Sequence, residues 1–98
     1  LIILAHWGGG LPFYALMPEV RRAMGNVLFD TAASPFLYED QIVEQVVDLV
    51  GAEKVLFATD FPLVSHKRML EQVEASSLDR ESKDMILGGN AARLLGLP

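Results

Sequence analysis

Three short apolar runs constrain the architecture: LIILA at 1–5, NVLFD at 26–30 and KVLFA at 54–58. None alternates polar with apolar residues. A continuous β-rich run bounded by turn residues is the pattern of a strand covered on both faces, and such strands belong to parallel sheets. The runs begin 25 and 28 residues apart, which leaves room for a strand and a returning helix. The chain therefore reads as an α/β fold with parallel strands near 1–6, 26–30 and 54–58.

Helical patterns fill the gaps. In YEDQIVEQVVDLVG, Ile42, Val43, Val46, Leu49 and Val50 share a face, Glu39 and Asp40 suit the first turn, and Gly51 suits the stop. In PFYALMPEVRRAMG, Phe13, Met17, Val20 and Met24 keep the helical period. Pro18 would cost about 3 kcal/mol in a helix interior, so a kink, or a helix starting near Pro18, is expected. HKRMLEQVEAS reads as a helix with Met69, Leu70 and Val73 inward. Asp79 is the expected N-cap of RESKDMIL, which Gly88-Gly89 should end, and Asn90 the expected N-cap of AARLLG. The order is βαβαβ followed by helices, as one domain over 1–98 without linker or sequence repeat.

Composition narrows the function classes. The net charge is −5, with the two signs interspersed, whereas a nucleic-acid or anionic-membrane surface wants a basic patch. The longest apolar runs fall short of a membrane span. With no cysteine, disulfides and thiolate metal sites are excluded, and a cytoplasmic location is expected. Leu1 is not an initiator methionine, and LIILA lacks the basic flank and cleavage site of a signal peptide. The expectation is a chain picked up in mid-fold.

The polar residues fall at one end of the strands. His6 closes the first run, Asp30 the second, and Asp60 follows the third. Sites in parallel α/β folds form outside the carboxyl ends of strands, and neighbouring strands lie roughly 4.8 Å apart. Each residue has a plain alternative: a hydrogen-bonded histidine under a loop for His6, turn formers or caps for Asp30 and Asp60. Their coincidence favours a shared site. An imidazole with carboxylates suits a divalent ion such as Zn²⁺, and either group can move a proton. A catalytic zinc needs about three protein ligands, and the sequence holds no H-x-H or H-E-x-x-H. The other histidine, His66, reads as a solvated helix start rather than a pocket wall.

Gly8-Gly9-Gly10 lacks both G-x-G-x-x-G and the Walker Lys-Ser/Thr, so a phosphate cradle is the weaker reading. Steric clearance beside a ligand or metal shell is the stronger one, with Trp7 as a wall or as core beneath the loop. Gly89-Asn90 is read as a turn and cap rather than an anion site.

The stretches AHWGGGLP, NVLFDTA, AEKVLFATDFP and ILGGNAARLLGL together resemble the C-terminal part of the amidohydrolase-related family. That group of metal-dependent (β/α)8 TIM barrels includes aminocarboxymuconate semialdehyde decarboxylase and resorcylate-type decarboxylases. The resemblance covers essentially the whole chain and implies strands six to eight of the barrel. It implies that His6 is the sixth-strand histidine that contacts catalytic water or substrate. It also implies that Asp60 is the eighth-strand aspartate, a metal ligand that helps activate water. Asp30 resembles the aspartate often found at the end of strand seven, and NAARLLGL the closing helix. Trp7, Asp30, Ser34 and Phe61 are the expected substrate-side residues; Pro35, Phe36 and Tyr38 share the loop after strand seven.

The family's strand-one H-x-H and strand-five histidine have no counterpart here, and a full barrel takes about 250 residues. The expected partners are a small-molecule substrate and the remainder of the barrel, in the same or another chain, with homo-oligomerisation as a further route to cover open strand edges. Two other classes compete with a hydrolase or decarboxylase: a metal-free α/β assembly module, and a receiver-like phospho-acceptor. The last is the weaker, because His6-Trp7 stands where an acidic cluster belongs.

Overall fold

The computed structural model describes all residues, 1–98. Its three strands, β1 (Ile2–Leu4), β2 (Val27–Asp30) and β3 (Val55–Leu56), form one parallel sheet in the order β1-β2-β3. Leu4 lies opposite Phe29, and Phe29 opposite Val55. The helices are α1 (Pro18–Ala23), α2 (Ser34–Leu37), α3 (Ile42–Val50), α4 (His66–Ala75), α5 (Arg80–Asp84) and α6 (Asn90–Leu95). No helix is long and apolar enough to cross a membrane.

The strands stand where the apolar runs place them, but they are shorter. Beyond Leu56 the ladder gives way to side-chain and helix contacts. Phe57 N–H donates to the Ile86 carbonyl at 3.1 Å. The Thr31 hydroxyl donates to the Ala58 carbonyl at 2.7 Å and accepts from the Ala58 N–H at 2.9 Å. Thr31 is buried, so one hydroxyl does the work of a missing strand pair.

Burial of both faces holds for β2 and β3: Leu28, Phe29, Val55 and Leu56 are all buried. Phe29 and Val55, paired in register, turn to the same face. Val55 joins Trp7, Ile42, Val43, Val46, Val73 and Ile86 in the main core. Phe29 packs with Ala15 and Met24. A third cluster, Ala33, Val64 and Met69, closes the end of the sheet where the strands finish. On β1 the expectation fails, since Ile2 and Ile3 are 54% and 46% exposed. Only Leu4 of that outer strand packs on the core, against the Phe29 cluster.

Pro18 occupies the first turn of α1, preceded by a separate tight helical segment that reaches Leu16. The missing N–H of proline costs nothing there. Because the two segments do not share a face, Phe13 and Met17 are exposed rather than inward. α3 runs as its period predicts, with Ile42, Val43 and Val46 buried and Gly51 as its C-cap at φ 96°. In α4 Leu70 is exposed, and Gln72 takes the buried position beside Met69 and Val73. Ser65 caps this helix through its hydroxyl, accepting from Arg68 N–H at 3.1 Å.

Asp79 caps α5 as expected, accepting from Ser82 N–H at 2.8 Å. The stop at Gly88-Gly89 does not occur. A π-helical turn over Met85–Gly89 carries the helix straight into α6. Asn90 is therefore not a cap: its backbone is helical at φ −66°, ψ −44°. Its buried side-chain amide donates instead to the Ala52 and Val55 carbonyls at 2.7 and 2.8 Å, clamping the closing helix to the entry of β3.

Candidate functional site

β1 finishes at Leu4, and from His6 the backbone changes hand. Five successive residues have positive φ: His6 at 57°, Trp7 at 57°, Gly8 at 68°, Gly9 at 62° and Gly10 at 98°. Residues with a Cβ meet a penalty of about 1–2 kcal/mol each in this conformation. The glycines therefore answer a demand on dihedrals. Within this chain the three differ in what surrounds them. A Cβ at Gly9 or Gly10 would meet nothing within 4 Å, and one at Gly8 would strike Phe29 Cδ1 at 2.7 Å, which is core.

His6 and Trp7 take the unfavourable hand with side chains attached, and each is tied down. His6 N–H donates to Asp30 Oδ1 at 3.0 Å. The His6 ring meets the Ala32 carbonyl through Nδ1 at 3.0 Å. Trp7 is 1% exposed, and its indole N–H donates to Ser34 Oγ at 2.9 Å. Ser34, at the start of α2, is itself fully buried. Trp7 and Ser34, anticipated on the substrate side, thus bind one another beneath the turn.

The His6 contact fixes a chemical state. A carbonyl oxygen only accepts, so Nδ1 carries the proton, and in the neutral ring Nε2 keeps the lone pair. Nε2 has no hydrogen-bond partner in the chain. Asp30 spends Oδ1 on two backbone donors, His6 N–H and Ala32 N–H, both at 3.0 Å. That doubly bonded carboxylate joins the ends of β1 and β2.

Asp60 stands on the segment between β3 and α4. It is exposed, with φ 63°, and its carbonyl accepts from Leu63 N–H at 2.9 Å. Its carboxylate makes no hydrogen bond in the chain. The segment is rooted at the carboxyl end of the sheet: Ala33 N–H donates to the Thr59 carbonyl at 3.3 Å, and Phe61 N–H to Thr59 Oγ1 at 3.1 Å. Phe61 is exposed and stacks on His66, ring centres 5.0 Å apart. Of the after-β2 residues, Phe36 is exposed, while Pro35 and Tyr38 are half-buried.

His6 and Asp30 are thus brought into one hydrogen-bonded unit, and Asp60 shares their end of the sheet without touching them. No three His, Asp or Glu side chains gather as a metal site. The free Nε2 and the unpaired Asp60 carboxylate are donors of the right type for a divalent ion, but two are fewer than such an ion needs. The Ala32 carbonyl and the Thr31 hydroxyl escape sequence reasoning. A run of small residues after a strand, TAAS, is their only trace.

Residues 1–97 match the family model described as Amidohydrolase. Among solved structures, a dihydroxybenzoic acid decarboxylase from Polaromonas sp. JS666, with bound manganese and the inhibitor 2-nitroresorcinol, superposes with a TM-score of 0.81. The identity is 21%, over 96% of this chain and 33% of that one. A 2,6-dihydroxybenzoate decarboxylase from Rhizobium gives 0.77 at 23% identity, over 96% and 34%. An amidohydrolase from Burkholderia multivorans with bound zinc gives 0.69 at 21% identity, over 98% and 44%. The chain thus spans about a third of the length of the two decarboxylases. What the likeness establishes is the fold, a portion of a (β/α)8 barrel.

Proposed function

Since this chain belongs to the amidohydrolase family, we propose that it is the C-terminal part of a metal-dependent (β/α)8-barrel enzyme. The reaction is hydrolysis or non-oxidative decarboxylation of a small carboxylate or cyclic substrate. The observation that carries the reading is the state of His6: Nδ1 committed to the Ala32 carbonyl, Nε2 free, at the carboxyl end of a parallel strand. A free, oriented imidazole nitrogen there is a proton acceptor or donor for water or substrate.

In this reading His6 moves the proton. Asp60, exposed and unpaired, is the ligand this chain gives to the metal and helps activate water. Asp30 stands beside the substrate while it holds the His6 turn, and Phe61 forms an apolar wall. Trp7 and Ser34 act from below. The remaining ligands come from the rest of the barrel, in the same or another polypeptide. A divalent ion bound there would polarise a substrate oxygen and acidify bound water; Zn²⁺ is the default for a His/Asp donor set, while one structural relative holds manganese. The cysteine-free sequence fits a reducing cytoplasm.

The test is a pair of variants in the complete barrel. Asp60→Ala should lose metal and turnover together. His6→Ala should lose turnover, by a factor on the order of 10²–10⁴ for an acid–base group, and keep most of the metal. Unchanged turnover without His6 would overturn its role. A purified protein that folds without metal, and is indifferent to Asp60→Asn, would be an assembly module instead.

A further inference from the structure

We infer that Asp30 is a positioning residue that sets the tautomer of His6, an inference that rests on the proposed role of His6. The carboxylate sits at the centre of a closed pattern. Oδ1 accepts from the His6 N–H and from the Ala32 N–H, both at 3.0 Å. The His6 ring then returns to the carbonyl of the same Ala32, Nδ1 to oxygen at 3.0 Å. One oxygen thus fixes both the backbone that carries the imidazole and the residue whose carbonyl selects its tautomer. Without it, nothing on β2 holds the His6 amide. The turn His6–Gly10 would be free to leave its left-handed conformation, which two of its five residues adopt at a cost.

The chemistry explains why an aspartate stands there. Two N–H donors converge on one oxygen, and an ionised carboxylate is the strongest acceptor a side chain offers. The fixed turn keeps Nδ1–H against the carbonyl, so Nε2 is the basic atom. In free neutral histidine the proton prefers Nε2, which would leave the wrong nitrogen basic. Asp30 therefore acts on proton transfer through His6, without handling the proton itself. Trp7 and Ser34 pin the next residue of the turn from the core side, so the two anchors grip adjacent residues from different directions.

The experiment reads the tautomer directly. The protein is labelled with ¹⁵N-histidine, and the His6 signals are identified by their loss in His6→Gln. At a pH where the ring is neutral, wild-type His6 should show Nδ1 protonated and Nε2 bare. Asp30→Asn keeps an acceptor oxygen and should keep that tautomer. Asp30→Ala should shift the population to the Nε2–H form and speed exchange of the His6 amide on the order of tenfold, the effect of losing one charge-assisted bond. Wild-type His6 protonated on Nε2 would overturn the inference even if Asp30→Ala fails to fold, and so would an Asp30→Ala protein with an unchanged tautomer. Turnover separates the two ideas. A tautomer shift with turnover indifferent to His6 overturns the catalytic reading alone, and an unmoved tautomer with turnover lost in His6→Gln overturns the positioning role alone.

Discussion

Asn90 shows how one side chain can be placed correctly and read wrongly. A short polar residue before Ala-Ala is the pattern of a helix cap, and the pattern cannot distinguish a cap from a buried clamp. Only the tertiary partners decide, here the carbonyls of Ala52 and Val55. Asn90→Ala removes the side-chain donor from both carbonyls, of which Ala52's keeps the Val55 backbone N–H, and should cost about 1–3 kcal/mol in urea unfolding. Asn90→Asp replaces the donors with a charge facing two carbonyls and should cost more than the alanine change; a milder effect would contradict the clamp. The glycines give the second residue-scale prediction. Gly10→Ala meets only the dihedral penalty, about 1–2 kcal/mol, because nothing lies within 4 Å. Gly8→Ala meets the same penalty and the Phe29 ring at 2.7 Å as well, so its loss in the same assay should be the larger. The sign of φ is not written in a residue's type. The place of His6 at the carboxyl end of the sheet was therefore legible, and the left-handed turn that carries it was not.

At the scale of elements, legibility followed periodicity. α3 carries its apolar residues on one face and ends on a glycine where the sequence puts it, though it begins at Ile42, after the Glu39 and Asp40 expected in its first turn. α2 has four residues, too few to show a period. The joined α5 and α6 were hidden because Gly88-Gly89 looks like a stop, while a π turn tolerates both glycines. The end of this joined helix nearest Asp79 should respond to acid. Asp79 titrates below its ordinary 3.8, because the Ser82 backbone N–H and then its side chain bind the carboxylate. Glu74 titrates below its ordinary 4.5, chiefly through its hydrogen bond from Arg80. Both folded values are depressed, so the stabilisation is complete above the ordinary values and is lost as pH falls through the depressed ones. Amide exchange at Ser82, corrected for its intrinsic pH dependence, should quicken over that acid range. Asp79→Asn keeps a good cap that does not titrate and should remove most of the acid response at Ser82. An equal response in that variant would place its origin elsewhere.

At the scale of the whole molecule, the parallel order and the common end of the polar residues follow from three apolar runs, since continuous apolarity dictates a doubly covered strand. β1 is the exception. Its apolar content predicts two covered faces, yet Ile2 and Ile3 are largely exposed and no strand lies on its outer side. A bare apolar edge strand is a template for another strand, and here the sequence describes surroundings that the chain alone does not contain. The backbone makes this testable residue by residue. Ile2 N–H donates inward to the Asn26 carbonyl at 2.8 Å. Alternation along a parallel strand then turns Ile3 N–H to the open side. In the 98-residue polypeptide, Ile3 N–H should exchange close to the unprotected rate. In the complete barrel a neighbouring strand would accept that proton, and protection should rise on the order of a hundredfold or more, toward that of core strands. Ile2 serves as the internal control, since its partner is present in both forms. If Ile3 exchanged equally fast in the complete protein, β1 would be a true edge and the barrel reading would fail at its first strand. Protection gained by the polypeptide only at high concentration would instead assign the empty side of β1 to a second copy.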